Sequence, residues 1–340
     1  MGIFIGAHEI RNRVFLAPMS GVTDEPFRVL AHKYGAGLVV SEMVASNALV
    51  EARPDIVRRA TGAGRVFPFV LQLAGREPEW MARGAELAQK IGADIIDINM
   101  GCPAREVAGK LSGSALMRDL DHACSLIDAT VRASSVPVTL KMRLGWDFDC
   151  LNAPELAARA EQLGVCMITV HGRTRNQFYK GKADWAAIRS VGQAITIPLI
   201  ANGDGASIDD VNAMLDASGA DGVMIGRGAY GRPWWPGVLA NQLDPGCGIE
   251  EPAIDQQAAI VFEHYEQIIK HYGVPNGVRI ARKHIGWALE RWRDKGLYDQ
   301  AEMSKWRARL LKLDNADEVK SGLDELRSQL RSAAQRMVAA

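Results

Sequence analysis

The chain has 340 residues, 48% of them hydrophobic, and sets forty basic side chains against forty acidic ones. That length suits one large domain plus a smaller one, and the neutral balance excludes attachment to nucleic acid or membrane by net charge alone, so an anionic partner has to meet a local patch. Five scattered cysteines without a Cys-x-x-Cys pair exclude a disulfide framework and a zinc site; lacking a basic-flanked leader or an apolar run of about eighteen residues, the protein is expected in the cytoplasm, neither exported nor membrane-spanning.

Short apolar runs alternate with longer amphipathic stretches along the chain. Residues 14–17 lead to a helix near Glu25 to Tyr34, and Leu38-Val39-Val40 to a helical stretch near Ser46 to Arg59. Residues 67–73 lead to a helix opening at Glu77-Pro78, and 95–99 to one from about Ser114 to Arg132. Then come 138–142 with a helix from Pro154, 167–170 with one near Trp185, 199–201 with one after Ser207, and 222–225 with the last. Pro26, Pro78 and Pro154 suit first turns, and Ser207-Ile208-Asp209-Asp210 is a capping pattern. Gly35, Gly92, Gly164 and Gly219 stand where helices would close. Eight strand-helix units in about 230 residues predict a closed (β/α)8 TIM barrel. A doubly wound sheet is disfavoured, because no Gly-x-Gly-x-x-Gly follows the first strand.

After about Asn241 the character changes. Asp244 to Gly248 reads as a linker, and beyond Pro252 only helical periodicity remains. The expected division is a catalytic barrel over 1–243 and a smaller all-α domain over 252–340.

In such barrels the strand C-termini carry the chemistry. Here Ile95 to Asn99 reads as a strand buried on both faces that stops at Gly101-Cys102-Pro103, presenting a carboxamide and a thiol; the plain alternative for Cys102 is a small buried hydrophobe. Asn202-Gly203-Asp204 and Gly226-Arg227-Gly228 occupy the loops after strands seven and eight, where exposed amides and an arginine suit a phosphate, although tight turns alone would also use these glycines. Lys141 ends an apolar strand, so an anion or electron-rich ring should lie nearby; a Schiff base or a rim salt bridge to Asp97 or Glu42 are the competing readings. His171 is a hydrogen-bond donor or a core histidine, and no histidine pair has ligand spacing, so no metal is expected. In the tail, Arg279-Ile280-Ala281-Arg282-Lys283-His284, Trp287, Arg291, Arg293 and Lys305-Trp306-Arg307 suggest a basic face with interleaved aromatics suited to RNA, against the commoner solvated helix face.

Several motifs in a fixed order now carry a resemblance: Leu16-Ala17-Pro18-Met19-Ser20-Gly21-Val22-Thr23-Asp24, Asn99-Met100-Gly101-Cys102-Pro103, Lys141-Met142-Arg143, Thr169-Val170-His171-Gly172-Arg173-Thr174, Ala183-Asp184-Trp185, Ala201-Asn202-Gly203-Asp204, Gly226-Arg227 and Arg282-Lys283-His284. Together they resemble the bacterial tRNA-dihydrouridine synthases, specifically the B-type branch with its nitrogen-regulation-associated members. The resemblance implies a monomeric flavoenzyme that reduces uridines in the tRNA D-loop to 5,6-dihydrouridine. NADPH would reduce FMN, hydride would pass from FMN N5 to C6, and Cys102 would protonate C5. It places Pro18, Met19, Ser20, Gln72, Lys141, His171, Asn202, Gly203, Asp204, Gly226 and Arg227 against FMN. The substrate tRNA, with no DNA or membrane partner, would be met by Asn99, Arg105, Lys110, Arg143, Arg173, Arg279, Arg282 and Lys283. Two departures stand out: Ser20 replaces a common alanine, and the loop after Cys102 carries one basic residue fewer than in many relatives. Rival readings are an FMN barrel acting on a small pyrimidine or enone, and a non-catalytic RNA-binding protein on an old enzyme barrel.

Overall fold

The computed structural model describes residues 2–109 and 111–339. The chain divides into two compact units, one of Met1–Gly228 with Pro236–Ile249, the other of Ala229–Trp235 with Glu250–Ala340.

The first unit opens with an antiparallel hairpin, β1 (Ile3–Ile5) and β2 (His8–Ile10). The strands β3 (Val14–Leu16), β4 (Val44–Ala45), β5 (Val70–Ala74), β6 (Ile95–Met100), β7 (Val138–Arg143), β8 (Ile168–His171), β9 (Leu199–Asn202) and β10 (Gly222–Ile225) follow, joined by helices. All neighbours are parallel, in the order β3-β10-β9-β8-β7-β6-β5-β4. Leu38 to Val40 closes the ring: Leu16 bridges Val39, and Val40 bridges Val70. Parallel strands covered by helices are buried on both faces, which is why they read as unbroken apolar runs. Inside the barrel, Phe15, Leu38, Val70, Ile95, Met167 and Ile200 pack with Ile3, Ile5 and Ile10 of the hairpin. The apolar floor thus lies at the strand starts, and the same inward face two residues on becomes polar, at Gln72, Asp97 and Thr139.

Two helices differ from expectation. The stretch from Ser46 to Arg59 is two helices, Ser46–Val50 and Pro54–Arg59, because Ala52 takes φ 54° and Pro54 restricts the residue before it. The next discrepancy is a 3-10 turn over Gly113–Arg118, after which the Asp119 carboxylate accepts from His122 N–H and caps helix Leu120–Arg132. The Ser207–Asp210 capping box is present on both arms. Asp244 to Gly248 is no free linker. Arg13 pairs with Asp244 at 2.8 Å, Asn12 Nδ2 donates to the Cys247 carbonyl, and Ile249 N–H reaches Gly237, so the barrel unit extends past residue 243.

The second unit is helical, with Ile254–Tyr272, Val274–Asp294, Gln300–Leu310 and Ala316–Ala339. Its tryptophans Trp292 and Trp306 are buried core, and the Trp287 ring stacks on Tyr230 at 4.0 Å. The expectation of tryptophans interleaved on a basic RNA-facing surface is therefore corrected for Trp306. No helix among the described residues is long and apolar enough to cross a membrane.

Candidate active site

At the strand exits the polar side chains of β5, β6 and β7 form one chain of hydrogen bonds. Thr139 Oγ1 donates to Asp97 Oδ1 at 2.6 Å, and Gln72 Nε2 donates to Asp97 Oδ2 at 2.7 Å. Asn99 Nδ2 in turn donates to Gln72 Oε1 at 2.8 Å. Asn99 Oδ1 accepts the N–H groups of Gly101 and Cys102. The chain ends at the loop that presents the Cys102 thiol, whose own carbonyl is held by Ser114 N–H and Oγ. Burial pushes the Asp97 carboxyl up, while the bonds from Gln72 and Thr139 oppose that rise. Gln72 is 0% exposed. Expected against the cofactor, it has no exposed surface, and its carboxamide is bonded to Asp97 and Asn99.

Lys141 stands beside Asn99 in register, and its ammonium donates to Asn202 Oδ1 at 3.2 Å. No salt bridge to Asp97 or Glu42 forms at this amine among the described residues. Burial and the neighbouring Arg143 lower the Lys141 pKa to about 8, opposed by Asp97 and Cys102. His171, on the next strand, is held well below its ordinary value by burial and by Arg143, Lys141, Arg173 and Arg227, so its ring is neutral at pH 7. A neutral imidazole beside a charged ammonium suits a site that holds an anionic or electron-rich edge.

The two glycine loops adjoin. Gly203 has φ 123°, and a Cβ there would lie 2.8 Å from His171 Cδ2; a Cβ on Gly228 would lie 2.7 Å from the Gly205 carbonyl. Among the described residues the N–H groups of Gly203, Asp204, Gly226 and Arg227 donate to no other residue. Open amides beside an arginine form a concavity for an anion. Asp204 ties the loops together: Oδ2 accepts from Arg173 at 2.6 Å and from Ala183 N–H, while Oδ1 accepts from Arg227 at 3.2 Å. Burial raises the Asp204 pKa, but the Ala183 amide and the two arginines outweigh it and leave it lowered. On the other side, Ala17 N–H reaches the Ile225 carbonyl, bringing half-buried Pro18 and Met19 beside the Gly226 loop. Met19 sits in a tight turn with Val22 and Thr23, and Ser20 is exposed.

Arg143 and Arg173 correct a second expectation. Each is 1% exposed. Arg143 donates to the carbonyls of Gly101, Thr174 and Phe178; Arg173 donates to those of Lys180 and Gly181 besides Asp204. They therefore brace a strap over residues 174–184 and are not available to RNA phosphates. The strap carries exposed Phe178 and Tyr179, packed edge to face at 4.8 Å, with the Arg143 and Arg227 guanidiniums 5.6 and 5.5 Å from the Tyr179 ring. Nearby, Arg118 and Arg175 lie over the Trp146 ring, and Phe148 is exposed. Sequence reading passed over Thr139, Trp146 and Phe178, and assigned Asp97 only as a salt-bridge partner. The two-residue alternation on β5 to β7 was the signal that could have found Thr139 and the real partners of Asp97.

Of the remaining expected contacts, Lys110 and the Arg105 side chain lie outside the described residues. In the helical unit Arg279 is exposed and Lys283 half-buried, whereas Arg282 is engaged by Asp314 and the Leu313 carbonyl. Its neighbours are similarly paired, Arg307 with Glu290 and Arg309 with Glu325. The uninterrupted basic face expected from the run of arginines is thus largely neutralised in the fold. Among the described residues no three His, Cys, Asp or Glu side chains gather as a metal site.

A family model described as dihydrouridine synthase matches residues 15–334. A probable tRNA-dihydrouridine synthase of Rhizobium leguminosarum bv. phaseoli is 57% identical over 83% of this chain and 87% of its own. The tRNA-dihydrouridine synthase B of Xanthomonas campestris pv. campestris is 46% identical over 83% of this chain and 85% of its own. Among solved structures, histamine dehydrogenase from Rhizobium sp. 4-9 superposes with a TM-score of 0.55 at 13% identity, over 78% of this chain and 50% of that one, a likeness of fold alone.

Proposed function

Because this chain belongs to the dihydrouridine synthase family, we propose that it binds FMN, takes its reducing equivalents from NADPH, and reduces the C5=C6 bond of specific uridines in the D-loop of tRNA to 5,6-dihydrouridine. The observation that carries this reading is the convergence, at one barrel mouth, of the Cys102 loop, the buried Lys141 ammonium and two adjoining glycine loops with open amides.

The residues present fit FMN. The amides of Gly203, Asp204, Gly226 and Arg227 would take its phosphate. Lys141, short of carboxylate partners, would hold the electron-rich edge of the ring, flanked by His171 and Asn202, with Pro18, Met19 and Ser20 lining the other side. Reduced FMN, when bound, supplies the hydride for C6. The chain itself supplies the proton: the Cys102 S–H bond breaks, its hydrogen forms the new C5–H bond, and the thiolate recovers a proton from water. A thiol suits that step because its ordinary pKa, near 8.5, leaves it mostly protonated at neutral pH. Asn99 keeps one N–H beyond its bond to Gln72, able to meet a uracil carbonyl. A uridine must leave its stack to reach this mouth, at a cost of a few kcal/mol that a loop nucleotide keeps small.

The test is position-resolved mass spectrometry of nucleosides in tRNA from a strain lacking this protein, complemented with wild type or Cys102→Ala. Dihydrouridine missing at a defined position and restored by wild type alone is the expected result. Full restoration by Cys102→Ala would remove the thiol from the mechanism, and unchanged dihydrouridine throughout would favour a small-molecule substrate.

A further inference from the structure

We propose that Asp97 is a positioning residue: acting through Gln72, it fixes which way the Asn99 carboxamide faces and so holds the backbone that presents Cys102. The proposal rests on the reading of Cys102 as the proton donor.

Carboxamide orientation is ambiguous wherever both neighbours can accept either end. Here neither amide has that choice. Asn99 Oδ1 faces two backbone N–H groups, of Gly101 and Cys102, so only its oxygen fits there. Its Nδ2 must then face Gln72, which has to offer Oε1 and turn Nε2 toward Asp97. The two carboxylate oxygens close the chain, one accepting from Gln72 and the other from Thr139 Oγ1. An acceptor at the far end therefore sets two amides in series and leaves the near end matched to Cys102 N–H. A packing role alone would be served better by an apolar residue, because Asp97 is buried among β-strands and a buried carboxyl is costly unless its bonds are needed. Without the carboxylate, Gln72 is free to turn Nε2 against Asn99 Nδ2. The donor clash would rotate Asn99 and release the Cys102 amide.

Two substitutions separate orientation from packing. Asp97→Asn keeps an oxygen for Gln72 and gives Thr139 a donor that its hydroxyl oxygen accepts, whereas Asp97→Leu removes the terminus. Gln72→Met breaks the same chain one link later and guards against a misfolded leucine variant. The primary readout is the rate of iodoacetamide alkylation at Cys102, mapped by peptide mass spectrometry against the other four cysteines, on the full chain as purified and after FMN removal. Losing one backbone anchor should speed Cys102 alkylation by about five- to tenfold in Asp97→Leu and Gln72→Met, with the other cysteines unchanged. Asp97→Asn should stay within about twofold of wild type, the scatter of a hydrogen bond retained. In the FMN-loaded enzyme the two disruptive variants should lose turnover with little change in KM for tRNA. Wild-type alkylation in both disruptive variants, or Asp97→Asn behaving like Asp97→Leu, overturns the proposal. A fully active Cys102→Ala enzyme would instead remove the acid role while leaving the alkylation result intact, so the two failures are distinguishable.

Discussion

Lys141 is where burial and charge oppose each other most sharply. Its ammonium has one amide partner, and burial with Arg143 nearby brings it to about 8, well under the 10.5 of a free lysine. Below about 8 the folded protein holds an expensive cation; between about 8 and 10.5 the unfolded chain binds the extra proton, so this group's contribution to stability rises with pH across that window. The cost is understandable if the cation is needed for an anionic edge. Lys141→Met should therefore raise the melting temperature of the cofactor-free protein at pH 7, by the equivalent of about 1–3 kcal/mol, while cutting retained FMN at least about tenfold. FMN binding to the cofactor-free protein should weaken as pH rises through about 8, where the Lys141 cation is lost. A methionine variant that purifies with a full complement of flavin would show that Lys141 does not hold it.

Among the elements, the strap over residues 174–184 shows how much positioning is done by buried side chains bonded to the chain itself. Two buried arginines hold it, and their partners are mostly backbone carbonyls, supplied by residues as far as 42 positions away in sequence. Lysine in place of Arg173 cannot span the Lys180 and Gly181 carbonyls and Asp204 at once. Arg173→Lys should leave the barrel folded but hasten trypsin cleavage at Lys180 or Lys182 by about tenfold, the loss of a buried charged hydrogen bond; an unchanged cleavage rate would show that the strap is held by other means. The same comparison shows what the sequence reveals. Seven of the eight barrel strands were legible because an apolar run bounded by glycine, proline or polar exits admits few other readings; the exception is β4, where the expected run Leu38-Val39-Val40 forms only isolated bridges and the paired strand is Val44–Ala45. Asn99, Cys102, Lys141 and the two glycine loops were legible as exits. The roles of Gln72, Asp97, Arg143 and Arg173 were not, because they depend on register between strands and on carbonyls whose positions no residue type announces. Asp244 to Gly248 misled for a related reason: proline and glycine mark a turn but not what it packs against.

Across the whole molecule the neutral charge total has a structural counterpart, since at least eight of the sixteen lysines and arginines of the helical unit pair with carboxylates within it. Asp255 alone accepts from Arg327 and Arg331, and Lys320 meets Glu266. An arginine held this way must give up its carboxylate before it can meet a phosphate, so it adds little to RNA affinity. Arg279, Lys305 and Lys312 are exposed, and none of them forms a salt bridge among the described residues. If the helical unit grips tRNA, these are the side chains that release counterions on binding. Reversing Arg279 and Lys305 to Glu should weaken tRNA binding and lower the slope of log affinity against log salt by about 1.5, the share of two phosphate contacts. Arg309→Gln, which breaks the surface pair with Glu325 and the stacking of the guanidinium over the Trp306 ring, should leave that slope nearly unchanged and cost about 1 kcal/mol of stability. Titration of full-length protein into tRNA at several salt concentrations decides the matter. Equal slopes for wild type and the double reversal would move the electrostatic grip to the barrel rim, where Arg118, Arg175 and Arg227 sit over exposed or half-buried aromatic rings.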